Sequence, residues 1–291
     1  MLDETKLIKL QRYIEKMPSL PTTVSRILEI CNSPQTIPAD LNQVISLDPV
    51  LMGKVLKLIN SAYYGLAQEI TSLVRAIIML GINTVKNLAL STAVLGTLGK
   101  KDDFQALNMD GFWRHSLGVA VTAKLIAKKR KLDPKKWEDY FIAGLLHDLG
   151  KIPLNSQFPQ EYVMAMSASD RDRLPLAVSE EKVIGIDHPD VGAMIVKNWK
   201  LDNSILDVVG GHHKYLSYEG EYRELVYSVV LSNFFVNEME LGFSGNRYPE
   251  KVSPSIKEVL NFSIEDLEGI EQEVAQEIEK ASIFLKLAKT G

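Results

Sequence analysis

"AGLLHDLGKIPL", residues 143–154, closes an apolar run with an imidazole and a carboxylate side by side, His147 and Asp148, followed by Gly150 and Lys151. Charged side chains are seldom buried unless they are paired or bind a ligand, so the fold turns on what gathers around this stretch. The longer segment "WEDYFIAGLLHDLG" reads as one helix ending near Gly150, on which His147 and Asp148 follow Gly144 by three and four residues and share its face. Upstream, "DGFWRHSLGVAVTAKLIAKKRK" reads as a helix capped by Asp110. His115 lies on it one turn after Gly111 and one turn before Val119, which lets the ring face a core.

Helical signals extend along the rest of the chain. "SLPTTVSRILEICNSP" spaces Val24, Ile27, Leu28 and Cys31 as an apolar stripe. "SLDPVLMGKVLKLINSAYYG" begins with Asp48 as N-cap and Pro49 at the first helical position. "TSLVRAIIMLG" has Ser72 as cap and Gly81 as stop. "HPDVGAMIVKNWK" carries Pro189 in a first turn, and "SILDVVGGHHKY" and "ELVYSVVLSNFFVNEME" are further helical segments. The tail reads as one amphipathic helix through Ile270, Val274, Ile278, Ala281 and Leu285, with acids early and lysines late, as the helix dipole favours. No alternating Val/Ile/Thr series predicts a strand. The expected class is all-α, a multi-helix bundle with an N-terminal helical half. The charged break "GKKDDFQALNMDG", residues 99–111, divides it, giving expected parts at 1–105, 106–240 and 241–291.

Composition excludes several classes. The 291 residues are 46% hydrophobic and 24% charged, ordinary for a globular chain long enough for a large core. A net charge of −4 argues against direct nucleic-acid binding. The single cysteine, Cys31, excludes an intramolecular disulfide, reads as a buried core thiol and suits a reducing cytoplasm. The N-terminus lacks the continuous apolar region of a signal peptide. "AIIMLGINTVKNLALSTAVLGTLG", residues 76–99, is long and apolar, but a lysine at mid-span, Lys86, costs roughly 2.5–3.5 kcal/mol in a bilayer. Two helices in a protein core, broken at Gly81, are expected there, and no membrane.

All five histidines, His115, His147, His188, His212 and His213, fall between residues 115 and 213. Two adjoin a carboxylate in sequence, at His147-Asp148 and Asp187-His188. Imidazole and carboxylate together suit divalent iron, manganese, nickel or zinc. A carboxylate can bridge two such ions, an arrangement that hydrolyses phosphate esters.

The segments "FWRHS", "AGLLHDLGK", "DHPDVGA" and "GHHKY" resemble the HD superfamily of metal-dependent phosphohydrolases, with the HD-GYP branch nearest. That resemblance implies one metal on His115, His147 and Asp148, with Asp148 bridging to a second on His188, His212 and His213. It also makes Lys151 a contact to substrate phosphate. "MPSLPTTVSRILEI", "LNQVISLDPVLMGKVLKLINSAYYG" and "ITSLVRAIIMLGINTVKNLAL" are similar to the HDOD family, the HD-related output domain of bacterial signalling proteins. The likeness runs from about Pro18 to His213 and toward Glu238.

Three departures bear on activity. Asn233 stands where the superfamily completes its first metal site with aspartate, Lys214 where HD-GYP proteins carry an acid, and Gly111 where that branch has a further acidic ligand. Two functions therefore stay open. One is a regulatory or binding module that retains one or two divalent transition metals and engages a signalling protein or a nucleotide. The other is a metal-dependent phosphohydrolase or phosphodiesterase, with Asp148 and Lys151 in catalysis, acting on a nucleotide such as a cyclic dinucleotide. Neither a receiver, a cyclase nor a DNA-binding unit is recognised, so input and output are expected from other molecules. The oligomeric state is left open. Plainer roles compete for some residues: the basic run Lys124–Lys136 as a solvated helix end, His212-His213 as a polar turn, and Tyr63, Tyr64 and Trp199 as core or groove aromatics.

Overall fold

The computed structural model describes residues 4–17, 20–31, 33, 35–98 and 106–288; most of the charged break at 99–111 lies outside them. Six helices form the N-terminal half: α1 (Glu4–Lys16), α2 (Thr22–Cys31), α3 (Pro38–Ile45), α4 (Pro49–Ile59), α5 (Leu73–Leu80) and α6 (Ile82–Leu98). The histidine-bearing half comprises α7 (Met109–Lys129), α8 (Trp137–Leu146), α9 (Lys151–Gln157), α10 (Pro159–Asp172), α11 (Leu176–Val183), α12 (His188–Asn198), α13 (Asn203–Gly211) and α14 (Arg223–Glu238). Four short helices close the chain: α15 (Ser255–Leu260), α16 (Ile264–Glu268), α17 (Glu271–Ala281) and α18 (Ile283–Ala288). Among the described residues there is no strand, and the molecule is the expected all-α, HD-like bundle.

Local chemistry sets several boundaries where the sequence placed them. Asp48 caps α4 by accepting the Leu51 N–H at 2.9 Å, with Pro49 in the first turn. Ser72 caps α5, and Gly81 ends it at φ +90°, a conformation that favours glycine. The axes of α5 and α6 diverge there by 117°, and no single described helix is long and apolar enough to cross a membrane. Most of α6 is buried in protein, and its Lys86 pairs with Asp202 at 2.9 Å.

Four expectations need correction. Asn108, not Asp110, caps α7: its Oδ1 accepts the Gly111 N–H at 3.0 Å, and Asp110 lies in the first turn. The helix through residues 137–150 ends at Leu146; a turn follows, and Lys151 opens α9. The tail is three helices, because Gly269 and Ser282 end α16 and α17; Phe284 and Leu287 are buried in place of Leu285. Cys31 is only half-buried against the core, which still raises its thiol to about 11.

The longest helix, α7, is buried over nearly its whole length, with α8, α14 and α17 packed around it. The crossing of α7 and α8 is close because residue 144 is glycine. A Cβ there would lie 2.8 Å from the Ala120 Cα and 2.9 Å from its nitrogen, well inside contact distance. The N-terminal half joins this centre through α6 on α8 and through Tyr63. Phe284 of α18 packs on both Phe141 (ring centroids 4.9 Å apart) and Tyr63 (5.7 Å), so the tail ties the two halves together.

Candidate metal centre

Five elements deliver polar side chains to one buried point. His115 comes from the middle of α7, and His147 and Asp148 from the turn after α8. His188 opens α12, His212 and His213 follow α13, and Asn233 lies within α14. The close α7–α8 crossing brings the His115 and His147 rings to 5.7 Å between centroids. A second close approach places His188. A Cβ on Gly150 would sit 1.9 Å from the His188 carbonyl oxygen and 2.5 Å from the Gly192 nitrogen, so only glycine lets α12 reach the turn that carries Asp148.

The side chains form two groups that share Asp148. His188, His212 and His213 are one, with His188 Nε2 at 3.1 Å from His213 Nε2 and 3.3 Å from His212 Nε2. Asp148 Oδ1 faces this group, 3.2 Å from His188 Nε2 and 3.8 Å from His212 Nε2. His115, His147 and Asp148 are the other, with His147 Nε2 at 3.3 Å from Asp148 Oδ2. Lys151 Nζ, itself buried, is 2.7 Å from that same Oδ2 and 3.3 Å from Ser244 Oγ.

Hydrogen bonds behind the rings fix which nitrogen points inward. His147 Nδ1 lies 2.8 Å from the Gly144 carbonyl, and His212 Nδ1 lies 3.1 Å from those of Val208 and Val209. A carbonyl only accepts, so Nδ1 carries the hydrogen and Nε2 is left as a lone pair facing the cluster. His188 and His213 are held in the same sense by carboxylates, Glu180 at 2.6 Å and Glu250 at 2.7 Å. His115 differs. Its Nε2 is 2.9 Å from Asn233 Oδ1, an oxygen that also accepts from Asn237 Nδ2 at 3.0 Å, so the hydrogen there is on His115.

Burial dominates the protonation states. It holds His115 down at about 3 and His212 well below the ordinary histidine value, the latter helped by His213 and His147. Burial also disfavours charge on His188, yet Glu180 overrides it and raises that ring to about 9. Asp148 would be raised by burial, but His147 and Lys151 beside it hold it well below the usual carboxylate range. His147 Nε2 and Asp148 Oδ1 are buried without a hydrogen-bond partner. Unpartnered buried polar atoms are costly. Two imidazole nitrogens about 2.1 Å from one tetrahedral ion stand about 3.4 Å apart, close to the spacings among these rings. The donor set, its orientation and its orphaned atoms therefore fit a first-row divalent ion.

All eight site residues expected from the sequence meet here: His115, His147, Asp148, Lys151, His188, His212, His213 and Asn233. Lys214 stays outside, exposed, near Asp187 and Asp190. Glu180, Ser244 and Glu250 were not anticipated. The last two come from the segment after α14, which crosses back over the site with the Phe243 N–H bonded to the Gly111 carbonyl at 3.0 Å. A cavity of about 490 Å³ opens on His115 and is also lined by Asn237, Phe243, Arg247 and Tyr248. A larger one, about 650 Å³, lies at the far ends of α8, α13 and α14 and touches no histidine.

An all-α bundle around a His/Asp cluster on these helices is an HD-type domain. A profile for the HDOD domain matches residues 17–215, and the chain belongs to that family. The solved structure of an HDOD domain protein of unknown function from Geobacter sulfurreducens superposes with a TM-score of 0.77 at 24% identity, covering 97% of this chain and 98% of that one. A Shewanella amazonensis structure, provisionally assigned as a phosphohydrolase, gives 0.71 at 23% identity, covering 96% and 97%. A Marinobacter aquaeolei structure, provisionally assigned to signal transduction, gives 0.74 at 19% identity, covering 98% of this chain and 65% of that one. At these identities the likeness is one of fold. An uncharacterised protein of Treponema pallidum is 24% identical over 227 residues, which make up 78% of this chain but 43% of that protein.

Proposed function

We propose that this chain is a bacterial signal-transduction module of the cytoplasm that binds a divalent transition metal and acts by engaging a signalling protein or a nucleotide. The observation that carries this reading is the shared orientation of His147, His188, His212 and His213. Each has its Nδ1 anchored outward; the Nε2 atoms of His147, His188 and His212 lie within 3.8 Å of Asp148, and that of His213 lies 3.1 Å from His188 Nε2. Such anchoring preorganises ligands and sets their basicity. The weak point for turnover is the other group, where His115 donates to the uncharged Asn233 instead of facing a carboxylate. Protein purified without chelator should contain near-stoichiometric metal, and Asp148→Ala should lose it. Wild-type protein without metal, equal to Asp148→Ala, would defeat the proposal.

A second reading has its own support. Lys151 is positioned beside Asp148, and the 490 Å³ cavity opens on His115, as a phosphohydrolase or phosphodiesterase for a nucleotide such as a cyclic dinucleotide requires. A bound ion would supply the positive charge that polarises a phosphoryl oxygen. Here the chain's own contribution is to bind and orient: Lys151 Nζ lies buried beside Asp148, and Asn237 and Arg247 line the cavity that opens on His115. Assay of cyclic dinucleotides with added iron or manganese separates the readings. Turnover abolished by His147→Ala favours the enzyme, and inactivity across a broad panel favours the module.

A further inference from the structure

The two donor groups are not equivalent in charge. Behind His188 stands Glu180, fully buried, and behind His213 stands Glu250, so this group has two carboxylates at its back and Asp148 Oδ1 at its front. Three imidazoles already meet there, His188, His212 and His213, and Asp148 Oδ1 lies 3.2 Å from His188 Nε2 and 3.8 Å from His212 Nε2. The group of His115 and His147 has a backbone carbonyl behind His147 and an amide beside His115. Its one carboxylate oxygen, Asp148 Oδ2, is in contact with the Lys151 ammonium at 2.7 Å. A divalent ion bound to that oxygen would sit beside a buried like charge; the further acid lining the cavity at His115, Glu240, is exposed to water, and like-charge repulsion is strong where water is excluded.

Resting on the reading that this chain binds a metal, we infer that the centre is mononuclear. One ion is held by Asp148 Oδ1, His188, His212 and His213, and the Lys151 ammonium stands as the built-in cation of the neighbouring position. The His115 group is then a hydrogen-bonded remnant, and Asn233 matches the lysine: removing one negative charge leaves a position that one ammonium balances. For a tetrahedral ion such as zinc, a four-donor protein set leaves no open coordination position, the mark of structural rather than hydrolytic sites.

The full-length protein is stripped with chelator, titrated with cobalt(II) and followed by its visible absorption, with cobalt per chain measured after desalting. One equivalent with the intense bands of a four-coordinate site is expected. His115→Ala should keep that ion and His213→Ala should lose it or bind it far more weakly. The double substitution Asn233→Asp with Lys151→Met should raise the content to two per chain. Two tight equivalents in the wild type would overturn the inference and leave metal binding standing, as would a single ion lost in His115→Ala and kept in His213→Ala. No bound cobalt would overturn both. The wild-type stoichiometry and spectrum decide the matter even where a variant does not fold.

Discussion

Glu180 Oε2 lies 2.6 Å from His188 Nδ1 and 2.8 Å from the His188 backbone nitrogen, with both side chains fully buried. The carboxylate fixes the ring and makes its inner nitrogen more basic. Such outer partners typically contribute about 10–100-fold to metal affinity. Glu180→Gln keeps the shape and removes the charge, so affinity should fall within that range, measured by competition with a chromophoric chelator. An unchanged affinity would show that Glu180 only packs.

The same pair gives the metal-free protein a pH signature. His188 is raised to about 9, above its ordinary 6.5, so it is protonated in the stripped protein at pH 7. Metal coordination has to release that proton. Calorimetry in buffers of different ionisation heat should show about one proton released by His188 at pH 7, and progressively fewer as pH rises through 9. Stability follows by linkage. The raised His188 stabilises the stripped fold fully below about 6.5, and that contribution is lost as pH climbs through about 9. His115 has the opposite sign: its folded value of about 3 means that stability is lost as pH falls from 6.5 toward 3. Urea midpoints of stripped protein should therefore drop toward both ends.

The helices were legible in the sequence, as were the residues that meet in the buried cluster, because the signals that mark them are local. Asp48-Pro49 and Ser72 announce caps by chemistry within four residues, and His147-Asp148 stand side by side in the chain. Glu180 and Glu250 were illegible because each is one acid among many exposed ones; what singles them out is a ring 8 and 37 residues away. Lys124 was misread for the same reason. It begins a run of cations that mostly face water, but its own position on α7 turns it inward. The single tail helix failed because its apolar spacing continues across Gly269 and Ser282, where the backbone turns.

Gly144 offers a test of how the first histidine pair is held together. Its missing Cβ is what allows α8 to touch the Ala120 backbone, and a methyl there meets atoms that cannot rotate away. Gly144→Ala gains helix propensity, yet overpacking of this kind costs roughly 1–3 kcal/mol. The net effect should be destabilisation, read as a lower urea midpoint with unchanged slope. A more stable variant would show that α7 and α8 can separate freely.

Lys124 and Glu138 occupy the other end of the same helix pair. Lys124 lies nine residues after His115, and Glu138 nine before His147. Their buried ion pair is enclosed by Tyr63 and Tyr64, with Lys124 Nζ 4.6 and 4.9 Å from the ring centroids and the Tyr64 hydroxyl donating to Glu138 at 3.2 Å. Glu138 Oε2 has no hydrogen-bond partner, so the pair is not fully satisfied. Breaking a buried pair from one side leaves a naked charge and costs about 3–5 kcal/mol, whereas replacing both partners with apolar groups is often neutral. Lys124→Met and Glu138→Leu should each be strongly destabilising, and the double variant should recover most of the loss in a urea double-mutant cycle. Because Tyr63 and Tyr64 belong to the N-terminal half, the single variants should also expose that half to protease before the helices that carry the histidines. Additive losses in the cycle would show that the two charges act on the fold separately.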